Sequence, residues 1–188
     1  YYDNNVNGGI ALIRAMIESG VNNLVYSSSC SVYGIPDEIP IKEDCVLEPI
    51  NPYGKTKQII EQFLKDLSKG GNINHISLRY FNVAGADPDL EIGEMHNPVT
   101  RIIPLAIKAS THNSIPLKIN GVNYPTHDGT CIRDYIHPSD LAKAHVRALE
   151  KLLSKDKIQT MNINLGTGNG YSVFEIIREI EKITGKKV

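Results

Sequence analysis

Tyr53 and Lys57 stand four residues apart in the string NPYGKTK, and the serine cluster SSSCSVYG, Ser27 to Gly34, lies upstream of them. On a helix this spacing puts both side chains on one face. A phenol then sits beside a permanent positive charge, while Ser29 supplies a hydroxyl from a neighbouring strand end. Such a set can move a proton on or off an alcohol. A free phenol ionises near pH 10, so matching it to neutral pH takes roughly 4 kcal/mol in favour of the phenolate. A nearby positive charge acts in that direction.

The spacing alone proves little. With nine tyrosines and 14 lysines in 188 residues, chance supplies about 0.7 of such a pair. A half-buried ring beside a solvated charge on an amphipathic helix has the same signature. The elements that would position the two residues therefore carry the weight.

Val6, Ile10, Ile13 and Ile17 recur at helical spacing, with Gly20 in a C-cap role. NLVYSSS follows with the β-branched and aromatic content of a short buried strand. A second helix is expected through YGKTKQIIEQFLKDLSKGG, with Ile60, Phe63, Leu64 and Leu67 as its apolar stripe and Pro52 in its first turn. HISLRYFNV reads as one further strand. Alternating strands and helices predict an α/β fold, a parallel sheet covered by helices. Such sheets place their sites at the carboxyl ends of the strands, where Ser29 and the segment Arg79 to Asn82 both fall.

Ala84 to Asn97 is polar and rich in Asp, Glu, Gly and Pro, and reads as a loop leaving the sheet. Beyond it the pattern predicts a helix over RIIPLAIKAS, a short strand at LKI, a long turn at NGVNYPTHDGT and a strand at CIRDYIH. A helix from Pro138 to Ser154, a strand at MNINL and a last helix from Val173 to Thr184 complete the chain.

The 20 basic and 21 acidic residues nearly balance, which gives no footprint for nucleic acid or an anionic membrane. Three cysteines without CxxC spacing argue against a disulfide framework or a zinc site, and fit a reducing, cytoplasmic setting. The six histidines form no HxxxH or HExxH string, so no metal site is expected. No run of 18 apolar residues and no signal peptide pattern occur.

Several strings coincide in one family: YYDNNVNG, SSSCSVYG, NPYGKTK, LRYFNVAGADP, NYPTHDGTCIRDYIH and NLGTGNGYSV. In these blocks the chain resembles the UDP-galactose 4-epimerases of the extended short-chain dehydrogenase/reductase superfamily. The resemblance implies a partial Rossmann-type, doubly wound parallel sheet with a smaller α/β substrate-binding region. Residues 1–83 would be the C-terminal half of an NAD-binding Rossmann domain, and 84–188 part of the substrate region with segments returning to it. It also implies an internal piece of a longer protein, without the glycine-rich unit that precedes YYDNNVNG in the family. Dinucleotide affinity depends heavily on that phosphate-binding turn, so the piece alone is expected neither to bind NAD tightly nor to turn over.

The activity implied is NAD-dependent interconversion of UDP-galactose and UDP-glucose through a 4-keto sugar, in a cytoplasmic homodimer. Tyr53 matches the family's catalytic tyrosine and Lys57 its lysine, which also contacts the nicotinamide ribose. Ser29 matches the serine that hydrogen-bonds the sugar 4-hydroxyl, although a turn hydroxyl satisfying the backbone reads the same. Asn4, Tyr80 and Phe81 match cofactor contacts; the alternatives are a helix N-cap for Asn4 and core packing for the rings. Asn82 and Arg133 match contacts to the substrate diphosphate, for which a guanidinium fork is suited. An ion pair of Arg133 with Asp134 or Asp140 is its alternative.

Three features depart or distract. Arg101 and Asn120 stand where relatives often carry an asparagine and a phenylalanine against the substrate. Gly166, Gly168 and Gly170 resemble a nucleotide loop, but the resemblance makes them a strand-to-helix turn and no cofactor is assigned there. Related 4,6-dehydratases place Asp and Glu where this chain has Cys30 and Ser31, which favours the epimerase over that rival. A non-catalytic nucleotide-binding relative would usually have lost Tyr53 or Lys57.

Overall fold

The segments Asn23–Ser27 and Asn74–Tyr80 become parallel strands, β1 and β2, in the computed structural model. The structure describes residues 1–111, 116–154 and 160–188. These fall into two units, residues 1–81 with 139–165 and residues 82–138 with 166–188.

In the first unit a π-helical turn at Tyr2–Asn7 runs into α1 (Gly8–Glu18). After β1 a single 3₁₀ turn, Cys30–Val32, leads on to α2 (Pro52–Lys69). Asn51 caps α2 by accepting from the Gly54 amide at 2.8 Å, and Pro52 occupies the first turn, where no amide donor is needed. β2 follows, and the sheet is completed by β5 (Thr160–Leu165), giving the parallel order β1-β2-β5.

Helices cover both faces of this sheet. On one face Ile13 of α1 and Ile60 and Leu64 of α2 close over Ile73, Leu24 and Tyr26. On the other, Ala148 and Leu152 of α4 (Pro138–Leu153) pack on Ile76, Leu78, Val25 and Ile163. Each fully buried Ile or Leu contributes about 1.5–3 kcal/mol, so these clusters supply the unit's main cohesion. The fold is thus a Rossmann-like α/β arrangement with a doubly wound parallel sheet.

β2 alternates in an unusual way. Ile76 and Leu78 face α4, whereas His75, Ser77 and Arg79 are equally buried but polar. His75 meets Ser68 of α2 at 2.9 Å, and Arg79 meets Glu61 of α2 at 2.6 Å. Part of the α2–β2 contact is therefore made by hydrogen bonds rather than apolar surface.

The second unit has β3 (Asn82–Val83) parallel to β4 (Ile132–Ile136), and β4 antiparallel to β6 (Gly170–Ser172). Two helices, α3 (Ile102–Thr111) and α5 (Val173–Thr184), pack on each other. A reciprocal capping box between Ser172 and Glu175 starts α5. No helix among the described residues is long and apolar enough to cross a membrane.

Several expectations need correcting. LKI, residues 117–119, is not a strand; no strand among the described residues pairs with it, and an unpaired extended segment gains no ladder. HISLRYFNV is not one strand: pairing along β2 ends at Tyr80, and Asn82 opens β3 in a different sheet. The strand at GYS is an addition, and Ser19 is the C-cap of α1, with Gly20 just beyond it at φ 73°.

Candidate functional site

Ser29, Tyr53, Lys57, Tyr80, Phe81 and Asn4 all belong to the first unit, and Asn82 and Arg133 to the second. The carboxyl end of β1 runs directly into the serine turn. Ser29 caps the 3₁₀ turn by accepting from the Ser31 amide at 3.2 Å, and its hydroxyl lies 3.2 Å from that of Ser31. It is nearly buried, at 7% exposure. The turn role considered as its alternative is therefore real.

Gly54 brings α2 against that turn. A Cβ at this position would meet the Ser31 carbonyl oxygen at 2.3 Å, so only glycine allows the approach. The close contact carries the neighbouring Tyr53 to Ser29. Tyr53 is half-buried, and burial, then Tyr80, push its pKa above the ordinary tyrosine value, while a hydrogen bond from Ser29 acts the other way.

Lys57 sits one turn along α2 from Tyr53. Its ammonium donates to the Ser27 carbonyl at 2.8 Å and lies 5.7 Å from the Tyr53 ring centre and 5.2 Å from that of Tyr26. Burial lowers its pKa. The expected lowering of the Tyr53 pKa by Lys57 is absent in the chain alone: desolvation dominates and the phenol keeps its proton more firmly.

Tyr80 packs on the Ile76, Leu78 and Ala148 cluster, with its ring centre 6.4 Å from His145. Core packing thus accounts for much of it, although its hydroxyl also raises the Tyr53 pKa. Phe81 is half-buried and its amide donates to the Leu165 carbonyl at 3.1 Å. Asn4 lies inside the exposed π-helical turn, not at an N-cap. Its neighbour Asn5, which sequence reasoning missed, donates to Thr56 at 3.0 Å, and Thr56 in turn donates to the Tyr53 carbonyl. An asparagine pair in DNNVNG was the available signal, with nothing to say which member reaches α2.

In the second unit Asn82 donates to the Asp134 carbonyl at 3.2 Å. Arg133 is exposed and reaches the Ile132 carbonyl at 3.3 Å. Neither acid considered for it is turned to that use: Asp134 accepts from the amides of Thr167 and Gly168 at 2.9 and 2.8 Å, and Asp140 pairs with Lys143. The glycine turn at 166–170 therefore spends amide donors on a carboxylate of its own unit. Arg101 pairs with Glu94 at 3.4 Å, and Asn120 is exposed. Among the described residues no group of three or more His, Cys, Asp or Glu could hold a metal ion.

A model of the NAD dependent epimerase/dehydratase family matches residues 1–164. The chain belongs to that family. Among curated epimerase/dehydratase relatives, the UDP-glucose 4-epimerase of Rhizobium meliloti (strain 1021) is 48% identical over 183 residues, covering 97% of this chain and 55% of that protein. The crystal structure of UDP-glucose 4-epimerase from Brucella ovis in complex with NAD superposes with a TM-score of 0.92 at 46% identity, over 100% of this chain and 57% of that one. A Stenotrophomonas maltophila UDP-glucose-4-epimerase with bound NAD and formylated UDP-arabinopyranose gives 0.91 at 43%, over 100% and 56%. The chain spans about half the length of the relatives it matches.

The donor set suits the cofactor that this family's name implies. The Lys57 ammonium has three N–H donors and Ser27 takes one of them, leaving donors for the hydroxyls of a ribose. A cavity of about 510 Å³ in the same unit, bordered by α2 and β5, is lined by Leu47, Gln58 and Met161 together with His75, Glu61 and Arg79. Tyr53, Lys57 and Ser29 do not line it, so the proton chemistry and this cavity are separate.

Proposed function

We propose that this chain carries the proton-transfer residues of an NAD-dependent UDP-glucose 4-epimerase, acting in the cytoplasm on UDP-galactose and UDP-glucose. The observation that carries the reading is the convergence of Ser29, Tyr53 and Lys57 at the carboxyl end of β1, in a chain 48% identical to a UDP-glucose 4-epimerase. Residues 1–83 serve as the C-terminal half of the NAD-binding domain, and 84–188 contribute to the substrate region with segments returning to the first.

When bound, NAD supplies a hydride acceptor that can return the hydride to either face of the sugar. The chain's own residues handle the proton. Tyr53 takes it from the sugar 4-hydroxyl and gives it back, through its phenol oxygen. Ser29 orients that hydroxyl. Lys57 adds positive charge on the same helix face and holds ribose hydroxyls. Asn4, Tyr80 and Phe81 line the cofactor side, and Asn82 and Arg133 take the substrate diphosphate, Arg133 with a fork its exposure leaves accessible.

The working form is a homodimer; Leu12 of α1, 59% exposed, is an apolar group that such pairing would cover. The gene product at its natural length, loaded with NAD, is expected to interconvert UDP-galactose and UDP-glucose. No conversion by that loaded protein would overturn the assignment in favour of nucleotide binding without catalysis.

A further inference from the structure

Tyr53, Lys57 and Glu61 follow one another at four-residue intervals along the sheet-facing side of α2. The first two belong to the proposed site, and Glu61 has no part in it. Yet Glu61 is 6% exposed and Arg79 is 2% exposed, an ion pair deep between α2 and β2. Arg79 Nε lies 3.0 and 3.2 Å from the two Glu61 carboxylate oxygens, and Nη2 lies 2.6 Å from one of them. Burial works against the Arg79 charge, but the hydrogen bonds and attraction of Glu61 overcome it and raise the guanidinium pKa. Replacing such a pair with apolar residues is often neutral or stabilising, so stability alone gives weak reason to keep it.

The remaining bonds of the pair show what it holds. The hydroxyl of Ser28, a fully buried residue, donates to the Glu61 carboxylate. Arg79 Nη1 donates to the Tyr33 hydroxyl at 2.8 Å and the Glu43 carbonyl at 3.0 Å, and Tyr33 donates on to Asn164 at 2.7 Å. Ser28 and Tyr33 bracket the turn that contains Ser29. One ion pair therefore grips that turn at both ends and ties it to α2, β2 and β5. On the opposite side Ser27 is held by His145 of α4 at 3.1 Å.

We infer that Glu61, fixed by Arg79, is a positioning residue that holds the Ser28 end of the serine turn and thereby sets Ser29 against Tyr53. This rests on the proposed role of Ser29 and Tyr53. The geometry confines the turn without Glu61 touching the reacting atoms. Losing the grip should leave the phenol without its Ser29 partner.

The test follows Tyr53 ionisation by NMR of carbon-13-labelled tyrosine in the natural-length protein, with Tyr53→Phe to assign the signal. Ser28→Ala removes the grip and leaves the ion pair intact; the double variant Glu61→Leu with Arg79→Met removes both in apolar form. In both, the Tyr53 midpoint should rise by about 0.5 pH unit or more. With NAD and UDP-galactose, kcat should fall about tenfold or more with KM within about twofold. Folded variants with the wild-type midpoint and kcat would reduce the network to a structural role. A shifted midpoint in a protein that never converts UDP-galactose would instead leave the positioning intact and remove the epimerase reading.

Discussion

The Lys57 ammonium is bonded to the carbonyl of Ser27, 2.8 Å away, rather than to the phenol of Tyr53 one turn before it. The lysine therefore fastens α2 to the end of β1 at the point where the serine turn begins. Its charge reaches Tyr53 only across the ring, at 5.7 Å from the centroid.

That arrangement makes a prediction about protonation. Burial and Tyr80 outweigh the Ser29 hydrogen bond, so Tyr53 in the chain alone should ionise above the ordinary tyrosine range. At neutral pH the phenol holds its proton. NMR titration of labelled tyrosine should show this, and a midpoint at or below that of free tyrosine would contradict it. In the natural-length protein, adding NAD should lower the midpoint, because a positive nicotinamide ring favours phenolate.

Tyr53→Phe removes one oxygen and keeps the ring. If the phenol moves the proton, kcat in the NAD-loaded, natural-length protein should fall by about 10²–10⁴-fold, with little change in KM. Unchanged turnover would sink the assigned mechanism.

Gly54 offers a test with an informative sign. In a helix interior Gly→Ala ordinarily stabilises by about 1 kcal/mol. Here the new Cβ would meet the Ser31 carbonyl oxygen at 2.3 Å, and main chain must shift. Gly54→Ala should instead destabilise, by about 1–3 kcal/mol as other overpacked sites do, and loosen Tyr53 from Ser29. Urea unfolding reads the sign directly, and a stabilised variant would refute the close packing of α2 on the turn.

His75 predicts an acid-sensitive core. The Ser68 hydroxyl donates to the Ile73 carbonyl, so His75 Nδ1 donates to Ser68 and Nε2 accepts from Thr160 at 3.1 Å. The ring is neutral, and burial lowers its pKa to about 4. Above pH about 6.5 both folded and unfolded chains carry a neutral ring, and stability is independent of it. As pH falls below that, the unfolded chain binds a proton that the folded chain refuses, and roughly 3 kcal/mol is lost by about pH 4. Urea unfolding at pH 7 and 4.5 should show a smaller acid loss in His75→Gln than in wild type. Equal losses would assign the effect to other groups.

Much of the local structure was legible in the residues. Asn51 and Pro52 mark the start of α2, and its period of 3.6 puts Tyr53 and Lys57 on one face whatever the rest of the chain does. The helix expected from Val173 to Thr184 has those same limits, because Ser172 and Glu175 close a box within four residues. Helices form hydrogen bonds with near neighbours, so their evidence is local.

Strands and polar contacts lack that property. Nothing within HISLRYFNV says that pairing stops after Tyr80, because the partner of β2 is β5, some eighty residues later. LKI carries strand composition, but no strand among the described residues pairs with it. Asn4 and Asn5 are indistinguishable in the string, and the π-helical turn selects Asn5 to meet Thr56. Glu61 and Arg79 look like ordinary charges on a helix and a strand until α2 is laid on β2, where each becomes the other's counterion and together they grip Ser28 and Tyr33. The α/β alternation and the side-by-side placement of Tyr53 and Lys57 can be read along the chain, since both follow from backbone periodicity. Which carbonyl Lys57 holds and which way burial moves the Tyr53 proton depend on distances between residues far apart in the chain, and these exist only once α2 lies on β1 and β2.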